Sequence, residues 1–247
     1  MKKWLSLWLC AALALTVSAG LAQQADSGSL QGLITEVGES SLVMNDLANG
    51  AVRVILEEGR TVYKGNAEKA SMAVGQYVFV RYSGAMTGDN PPQATADTVE
   101  CYWVKGTVSE ILQNGYVVKG DSVLGTVMVH TDAQLAPVFL NVPITVYYSG
   151  IMALSMPPQI EALQTVVPVL EGVASKVAED GFVLTDDQGV AHRIMLNAQT
   201  QLVQQPADGL SVCVYFNGEP ESAADVTALE ITGVLSAGDA EAAASKQ

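Results

Sequence analysis

A fifteen-residue segment occurs twice in this chain, at residues 82–96 and 148–162, and eight of its positions are identical without a gap. Both copies begin with Tyr-Ser-Gly and contain Pro-Pro-Gln. A match of that length within one chain indicates internal duplication, and a duplicated unit has to be found before a fold is assigned. The sequence therefore predicts a tandem array of similar units.

A longer pattern surrounds each copy and recurs a third time in weaker form. Each unit opens with a glycine that is followed three residues later by Ser or Thr, at Gly32, Gly106 and Gly172. Five stretches of alternating apolar and polar residues follow, which is typical of strands with one buried face. The fifth stretch runs directly into the next glycine, so we expect consecutive units to abut.

These patterns predict an all-β chain of three tandem small five-stranded OB-like barrels or curved sheets, preceded by an N-terminal signal peptide. Unit 1 is expected at residues 30–105, unit 2 at 106–171 and unit 3 at 172–236.

The two ends of the chain differ from the repeats. Residues 1–22 combine Lys2 and Lys3 with an apolar stretch and small residues up to Ala22, which predicts a signal peptide cut after that residue. An uncleaved anchor is the alternative, because a membrane span needs about 20 apolar residues. Residues 237–247 are rich in Ala, Asp, Glu and Lys and predict a disordered tail. We therefore expect a secreted or cell-envelope-associated protein.

The chain is acidic, with 26 acidic and 12 basic residues and a net charge of −14. Nucleic-acid affinity comes largely from Lys and Arg that neutralise phosphates, so this excess predicts no nucleic-acid partner. It also predicts no membrane contact beyond the signal peptide, since anionic lipids repel acidic surfaces. Cys101 and Cys213 are the cysteines beyond the leader, too few for a disulfide framework, although a single pair stays open.

The opening glycine, the strong fourth strand that ends in Tyr-Ser-Gly and the Pro-Pro-Gln loop resemble a known group of domains. These are small OB-like β-barrel domains of unknown function, found in tandem in secreted proteins of Gram-positive gut bacteria. The resemblance covers nearly all of residues 30–235 and implies a fold and an extracellular location, without any active-site residue. Unit 3 departs from the pattern, because Phe216-Asn217-Gly218 is followed by no Pro-Pro-Gln.

The connection between the fourth and fifth strands is the candidate ligand site, because this loop frames the ligand face of OB-like barrels. Methionines there offer adaptable apolar contacts, and the tyrosines could stack on a sugar or peptide. The alternative is structural: prolines fix the direction of the chain, and aromatic rings fill the core. The candidate residues are Tyr82, Met86, Pro91, Pro92 and Gln93 in unit 1 and Tyr148, Met152, Pro157, Pro158 and Gln159 in unit 2.

Patterns typical of catalytic or metal sites are missing from the sequence. His130 and His192 fall in different units, and the Asp-rich segments around Asp46 and Asp186 fit turns better than calcium loops. Nucleophile elbows and phosphate-binding glycine loops are absent as well. We predict no enzyme activity, no cofactor and no metal site.

The sequence thus predicts a secreted or cell-envelope-associated tandem β-domain protein that acts as a non-enzymatic binding or spacer module. Its expected partner is an unknown extracellular glycan or protein. One alternative is a glycan- or peptide-binding protein that uses the fourth-to-fifth-strand loops of units 1 and 2. The other is an extracellular hydrolase whose carboxylates are gathered only by the fold.

Overall fold

The computed structural model describes residues 27–120, 125–131, 135, 137–218 and 225–233. The predicted signal peptide at residues 1–22 and the predicted tail at 237–247 lie outside these residues. Within them, strands form three six-stranded sheets, and helical structure is limited to one 3₁₀ turn at Lys69–Ser71. No helix in this part of the chain is long and apolar enough to cross a membrane.

Each sheet is formed by one continuous stretch of the chain, and the names unit 1, unit 2 and unit 3 refer below to these stretches. Unit 1 contains β1 (Ser27–Val37), β2 (Ser41–Asp46), β3 (Gly50–Ile55), β4 (Val62–Gly65), β5 (Tyr77–Ser83) and β6 (Gln93–Cys101). Unit 2 contains β7 (Trp103–Leu112), β8 (Gly115–Gly120), β9 (Thr126–His130), β10 (Pro143–Tyr147), β11 (Gln159–Glu161) and β12 (Gln164–Val166). Unit 3 contains β13 (Val169–Ala178), β14 (Gly181–Thr185), β15 (Ala191–Met195), β16 (Gln201–Leu202), β17 (Ser211–Phe216) and β18 (Asp225–Gly233).

The sheets of units 1 and 3 close into five-stranded barrels. In unit 1 the order is β3-β2-β1-β5-β6, and a parallel pairing of β3 with β6 closes the ring. Unit 3 repeats this order and closes with the parallel pair β15 and β18. In unit 2 the last strand is broken in two, so that β11 pairs with β9 and β12 pairs with β10. Five antiparallel-rich strands in a small barrel define an OB-like fold, and the prediction of tandem OB-like barrels is confirmed.

One short strand per sheet was not expected in units 1 and 3. β4 and β16 lie in the connection between the third and fourth barrel strands and pair in parallel with the far part of β6 and β18. The last barrel strand is longer than its barrel partner, and its free edge would otherwise expose unpaired backbone groups. The short strand satisfies these groups, and its four or two residues are too few to give an alternating sequence signal.

The glycine that opens each unit, and the Ser or Thr three residues later, make contacts between the first and second strands. A side chain at the glycine would clash with a carbonyl oxygen of the neighbouring second strand, so only glycine allows this close approach. The Ser or Thr three residues later lies at a bulge in the first strand and donates a hydrogen bond to the same neighbour. The clashing pairs are Gly32 with Asn45, Gly106 with Lys119 and Gly172 with Thr185. The hydrogen bonds from the hydroxyl to a backbone carbonyl are Thr35 to Val43 at 3.2 Å, Ser109 to Val117 at 3.2 Å and Ser175 to Val183 at 3.3 Å.

Each barrel has its own apolar core, made mainly of Val, Ile and Leu from the inward positions of the strands. Cys101 and Cys213 are free and buried, and Cys101 belongs to the core of unit 1. Burial raises the pKa of both thiols to about 11. The two cysteines therefore act as small apolar side chains.

The joints between barrels are short. Tyr102 alone separates β6 from β7, and Val167 and Pro168 separate β12 from β13. The amide of Tyr148 donates to the carbonyl of Tyr102 at 3.1 Å, and the amide of Phe216 donates to the carbonyl of Pro168 at 3.3 Å. Because each fourth strand is bonded to the joint in front of it, consecutive barrels are held against each other.

Candidate functional site

The ten predicted ligand residues form two equivalent loops, one in unit 1 and one in unit 2, and all ten are half-buried. In each loop the carbonyl of the second proline accepts a hydrogen bond from the third barrel strand. The amide of Arg53 donates to the carbonyl of Pro92 and the amide of Met128 donates to that of Pro158, both at 2.9 Å. The peptide bonds before Pro91 and Pro157 are cis. Gln93 and Gln159 then begin the parallel pairing that closes each barrel. The shared Pro-Pro-Gln therefore aligns the closing strand.

The shared aromatic and methionine positions also serve packing. Tyr82 and Met86 pack against the core of unit 1, and Tyr148 and Met152 pack against that of unit 2. The ring of Tyr82 lies so close to Gly28 that a side chain there would overlap it. These contacts match the structural alternative for these residues, in which aromatic rings close the barrel.

A groove that the sequence did not reveal lies on the outer face of unit 1. Its volume is about 950 Å³, and it is formed by β1, β5 and β6 together with Ser149 from unit 2. Its lining includes Gln31, Phe79, Arg81 and Glu100. We call this surface the unit 1 groove. It contains Tyr82 from the first copy of the repeated segment and Ser149 from the second, so it joins two of the repeated positions.

The groove occupies the face that the other units bury. Arg81, Tyr147 and Tyr215 stand at equivalent outward positions near the end of the fourth barrel strand. Tyr147 packs into the core cluster of unit 1, and Tyr215 packs against that of unit 2. Arg81, in contrast, keeps 71% of its side chain exposed. The face that docks in units 2 and 3 is therefore open in unit 1.

The lining of the groove holds one basic residue, Arg81, and three acidic residues, Asp46, Asp97 and Glu100. Two further basic residues outside the lining, Lys64 and Arg60, contact carboxylates of this face. Arg81 and Lys64 approach the same oxygen of Glu100, with nitrogen–oxygen distances of 3.6 and 3.3 Å. Arg60 reaches Asp97 at 3.0 Å. Hydrogen bonds from Ser83 and from Arg60 hold the pKa of Asp97 below its usual range, so this carboxylate stays charged.

The aromatic side chains near the groove are held in place. Phe79 precedes Arg81 by two residues on β5, and therefore lies on the same outer face. Phe79 is half-buried, and its ring lies 5.6 Å from that of Tyr77 in an edge-to-face arrangement. The hydroxyl of Tyr102 donates to Glu100 at 3.2 Å. The groove thus combines a fixed aromatic wall with charged groups.

The other residues considered from the sequence belong to turns or isolated pairs. Asp46 accepts hydrogen bonds from the amides of Gln31, Ala48 and Asn49, and so orders the turn after β2. Asp186, at the equivalent position in unit 3, accepts from two turn amides and from His192. Among the residues that the structure describes, no group of three or more His, Cys, Asp or Glu is placed to hold a metal ion.

Comparisons with known proteins give matches to solved structures at low identity and low TM-score. No protein-family model matches the chain, and no curated protein matches it either. A solved structure described as Drosophila Unr CSD456 is 12% identical over 85% of this chain and 99% of its own, with a TM-score of 0.22. A multidomain protein with nucleic acid binding domains from Streptococcus pneumoniae is 13% identical over 81% of this chain and 72% of its own, with a TM-score of 0.19.

Two predictions from the sequence are corrected at this point. The printed description of the streptococcal structure names nucleic acid binding domains. It conflicts with the prediction of a binding or spacer module for an extracellular glycan, peptide or protein, and with the exclusion of nucleic acid. Both are wrong as stated. TM-scores this low assign no ligand to the present chain.

The physical error lay in treating the net charge as evenly spread. Residues 169–236 carry ten acidic and two basic residues, whereas residues 102–168 carry four acidic and two basic residues. Residues 27–101 carry nine acidic and five basic residues, and one of the basic residues, Arg81, lines the groove. Interactions between exposed charges are screened beyond about 10 Å, so the distant acidity of unit 3 does not determine what the groove binds.

Proposed function

We propose that the unit 1 groove binds single-stranded nucleic acid without sequence preference. The observation that carries this proposal is the replacement of a docking tyrosine by the exposed Arg81 on a face that neighbouring units cover. Proteins of this class combine basic side chains that follow the phosphates with aromatic side chains on which bases stack. Arg81 in the lining and Lys64 and Arg60 beside it supply the first element, and Phe79 supplies the second.

The charges around the groove set the expected strength of binding. Each of the three basic side chains already contacts a carboxylate, so a phosphate has to compete with Glu100 or Asp97. We therefore expect a dissociation constant of about 10⁻⁵ M at low salt, in the range of non-specific binding. Two or three phosphate contacts predict a slope of about −2 for log K against log salt, because single strands contribute about −0.7 per contact.

Fluorescence anisotropy with a labelled oligo(dT) of about 12 nucleotides tests the proposal, since one OB-fold covers roughly 4–16 nucleotides. Arg81→Glu is expected to weaken binding by at least about tenfold and to reduce the salt slope by about 0.7. Arg193→Glu makes the same charge change on an exposed strand position of unit 3 and should leave binding within twofold. Absence of binding by the unaltered chain, or equal effects of the two variants, would reject the proposal.

The aromatic contribution can be tested separately. Phe79→Leu keeps an apolar side chain on β5 but removes the flat ring, and base stacking on an aromatic residue contributes about 1–3 kcal/mol. We expect the variant to bind oligo(dT) at least about fivefold more weakly with an unchanged salt slope, because no phosphate contact is lost.

We further propose that the chain is exported and acts outside the cell as a non-catalytic protein. The sequence of residues 1–22 supports export, and the resemblance to tandem domains of secreted proteins from Gram-positive gut bacteria supports the same location. Immunodetection in washed cells, cell-wall extract and culture medium tests the location. Recovery of the protein only from the cytosol would contradict it.

A further inference from the structure

The two copies of the repeated loop differ at their tips. Three positions that are small or polar in unit 1 hold large apolar residues in unit 2, while the Tyr, Ser, Gly, Met, Pro, Pro and Gln positions are unchanged. The replacements are Ala85 by Ile151, Gly88 by Leu154 and Asn90 by Met156.

Both loops have a backbone hydrogen bond between the same two positions. Ala153 and Gln159 exchange two backbone hydrogen bonds, at 2.9 and 3.1 Å. At the equivalent place in unit 1, the amide of Thr87 donates to the carbonyl of Gln93 at 2.9 Å. In unit 1, Gln93 also donates hydrogen bonds to Thr87 and Asp89, which are Ala153 and Ser155 in unit 2. The large apolar residues of unit 2 do not replace these bonds by packing, because they are exposed.

The three apolar side chains of unit 2 are almost fully open to solvent. Ile151 is 79% exposed, Leu154 is 97% exposed and Met156 is 100% exposed. Isolated exposed apolar residues are common in soluble proteins, but several together on one loop indicate a contact site. We call this feature the unit 2 tip.

The surroundings of the unit 2 tip indicate what it contacts. Residues 133–160 form a run of 28 residues without Asp, Glu, Lys or Arg, in a chain that has 38 such residues. No charge of this segment would therefore have to leave water if the tip entered an apolar medium.

The size of the tip argues against a protein partner. Side chains of this type remove roughly 60–120 Å² each from water, which gives at most about 350 Å² for the three. A stable protein interface needs about 800 Å² per partner. A lipid surface requires no such area, because exposed apolar side chains partition individually into the boundary between headgroups and acyl chains.

We propose that the unit 2 tip docks the protein on an uncharged lipid surface by inserting Ile151, Leu154 and Met156 into the headgroup boundary. The sequence predicted no membrane contact beyond the leader, and that prediction considered only charge. The acidic residues elsewhere in the chain make zwitterionic lipids the preferred surface, because anionic headgroups repel them. Docking requires no part of the unit 1 groove and stands apart from nucleic-acid binding.

Vesicle flotation tests this proposal with residues 23–247, which include every described residue and omit the apolar leader. The decisive variant is the triple change Ile151→Ala, Leu154→Gly and Met156→Asn, which gives these three positions the residues of the unit 1 loop. Phosphatidylcholine vesicles should bind the unaltered chain, and the triple variant at least about tenfold more weakly. Vesicles that contain phosphatidylglycerol should bind the unaltered chain less strongly. Thermal unfolding should be the same for both proteins, since the exchanged residues are exposed.

A reverse exchange provides the gain-of-function arm. A second apolar tip is built on unit 1 by the changes Ala85→Ile, Gly88→Leu and Asn90→Met. In the otherwise unaltered chain these changes should increase vesicle binding. In the triple variant they should restore vesicle binding. Three outcomes would overturn the proposal. These are no vesicle binding by the unaltered chain, equal binding by the triple variant, or a dimer in sedimentation velocity that the triple variant abolishes, since a second copy would then cover the tip.

Discussion

Unit 1 and unit 2 present the same face of an OB-like barrel in opposite ways. In unit 2 this face carries Tyr147, which is 7% exposed and packs into the core cluster of the preceding barrel. In unit 1 the equivalent position is Arg81, and the face forms an open groove. Within the described residues a barrel precedes unit 2 and none precedes unit 1, so the face is covered where Tyr147 stands and open where Arg81 stands. The predictions below test this comparison in order of decreasing effect.

The largest effect is expected from truncating the docked tyrosine. Tyr147→Ala should lower the free energy of unfolding of units 1 and 2 by about 3 kcal/mol, because it leaves a cavity at the junction. Arg81→Ala, at the open face, should change it by less than about 0.5 kcal/mol. Denaturant unfolding followed by the fluorescence of Trp103, the one tryptophan beyond the leader, measures both variants.

Tyr147→Phe is the matched control for this pair. It keeps the ring at the junction and removes only the hydroxyl, whose pKa burial and the neighbouring Cys101 raise to about 12. The expected loss is within about 1 kcal/mol. If Tyr147→Ala were as mild as Arg81→Ala, the junction would not depend on this side chain and the comparison would fail.

The next prediction asks whether barrel formation depends on docking. Gly32→Ala in unit 1 and Gly106→Ala in unit 2 should each cost about 2 kcal/mol, because the new methyl group overlaps a carbonyl of the second strand. Gly88→Ala is the control, since its methyl group would meet no atom within 4 Å. Similar losses for Gly32 and Gly106 in urea unfolding would show that both barrels close by the same local contact. A loss confined to Gly106 would indicate that closure requires docking.

A smaller, pH-dependent effect is expected at one end of the unit 1 groove. Burial alone would raise the pKa of Asp46, but hydrogen bonds from Gln31, Asn49 and Ala48 outweigh it and hold this pKa below the ordinary value of about 3.8. The stabilisation is complete above that value and is lost as the pH falls through the lower pKa of the folded state. Asp46→Asn should therefore cost about 1–2 kcal/mol at pH 7.

The measurement for Asp46 is urea unfolding of both proteins at neutral pH and at decreasing pH below 4. The difference between them should shrink as the folded carboxyl group becomes protonated. A constant difference across this range would mean that the charge of Asp46 is irrelevant to the turn.

The smallest effect is expected from giving unit 1 the docking residue of its neighbours. Arg81→Tyr should allow the open face to pack against the last barrel of another copy, since no described unit follows unit 3. Such a head-to-tail contact does not close on itself and produces open chains of molecules. We expect weak association, with a dissociation constant of about 1 mM, which a concentration series in sedimentation velocity would detect. A strictly monomeric variant would show that more of the face than this residue has to change.

The repeat pattern was sufficient to predict the architecture. The opening glycines and the Ser or Thr three residues later fix where the first and second strands meet, so the sequence contains direct information about barrel formation. The polar turns around Asp46 and Asp186 were also identified as turns, because carboxylates that accept neighbouring amides leave a local sequence signal.

The groove could not be predicted in the same way. Its walls come from β1, β5, β6 and unit 2, which are distant in sequence. The repeat alignment pairs Arg81 with Tyr147, but only the structure shows that Tyr147 and Tyr215 pack against the preceding barrel. The repeated Tyr82 and Tyr148 directly follow Arg81 and Tyr147 in the sequence, and they occupy packing positions. Net charge, as a sum over the whole chain, also hid the local difference between units 1 and 3.

The single residue that joins β6 to β7 has a mechanical consequence. A force applied to the two ends of the chain would pass from barrel to barrel through Tyr102 and then Pro168, with no slack linker to extend first. The hydrogen bonds from Tyr148 and Phe216 to these joints would bear load together with the strands. The array should therefore respond to tension as one stiff element, whose first extension requires a barrel to open.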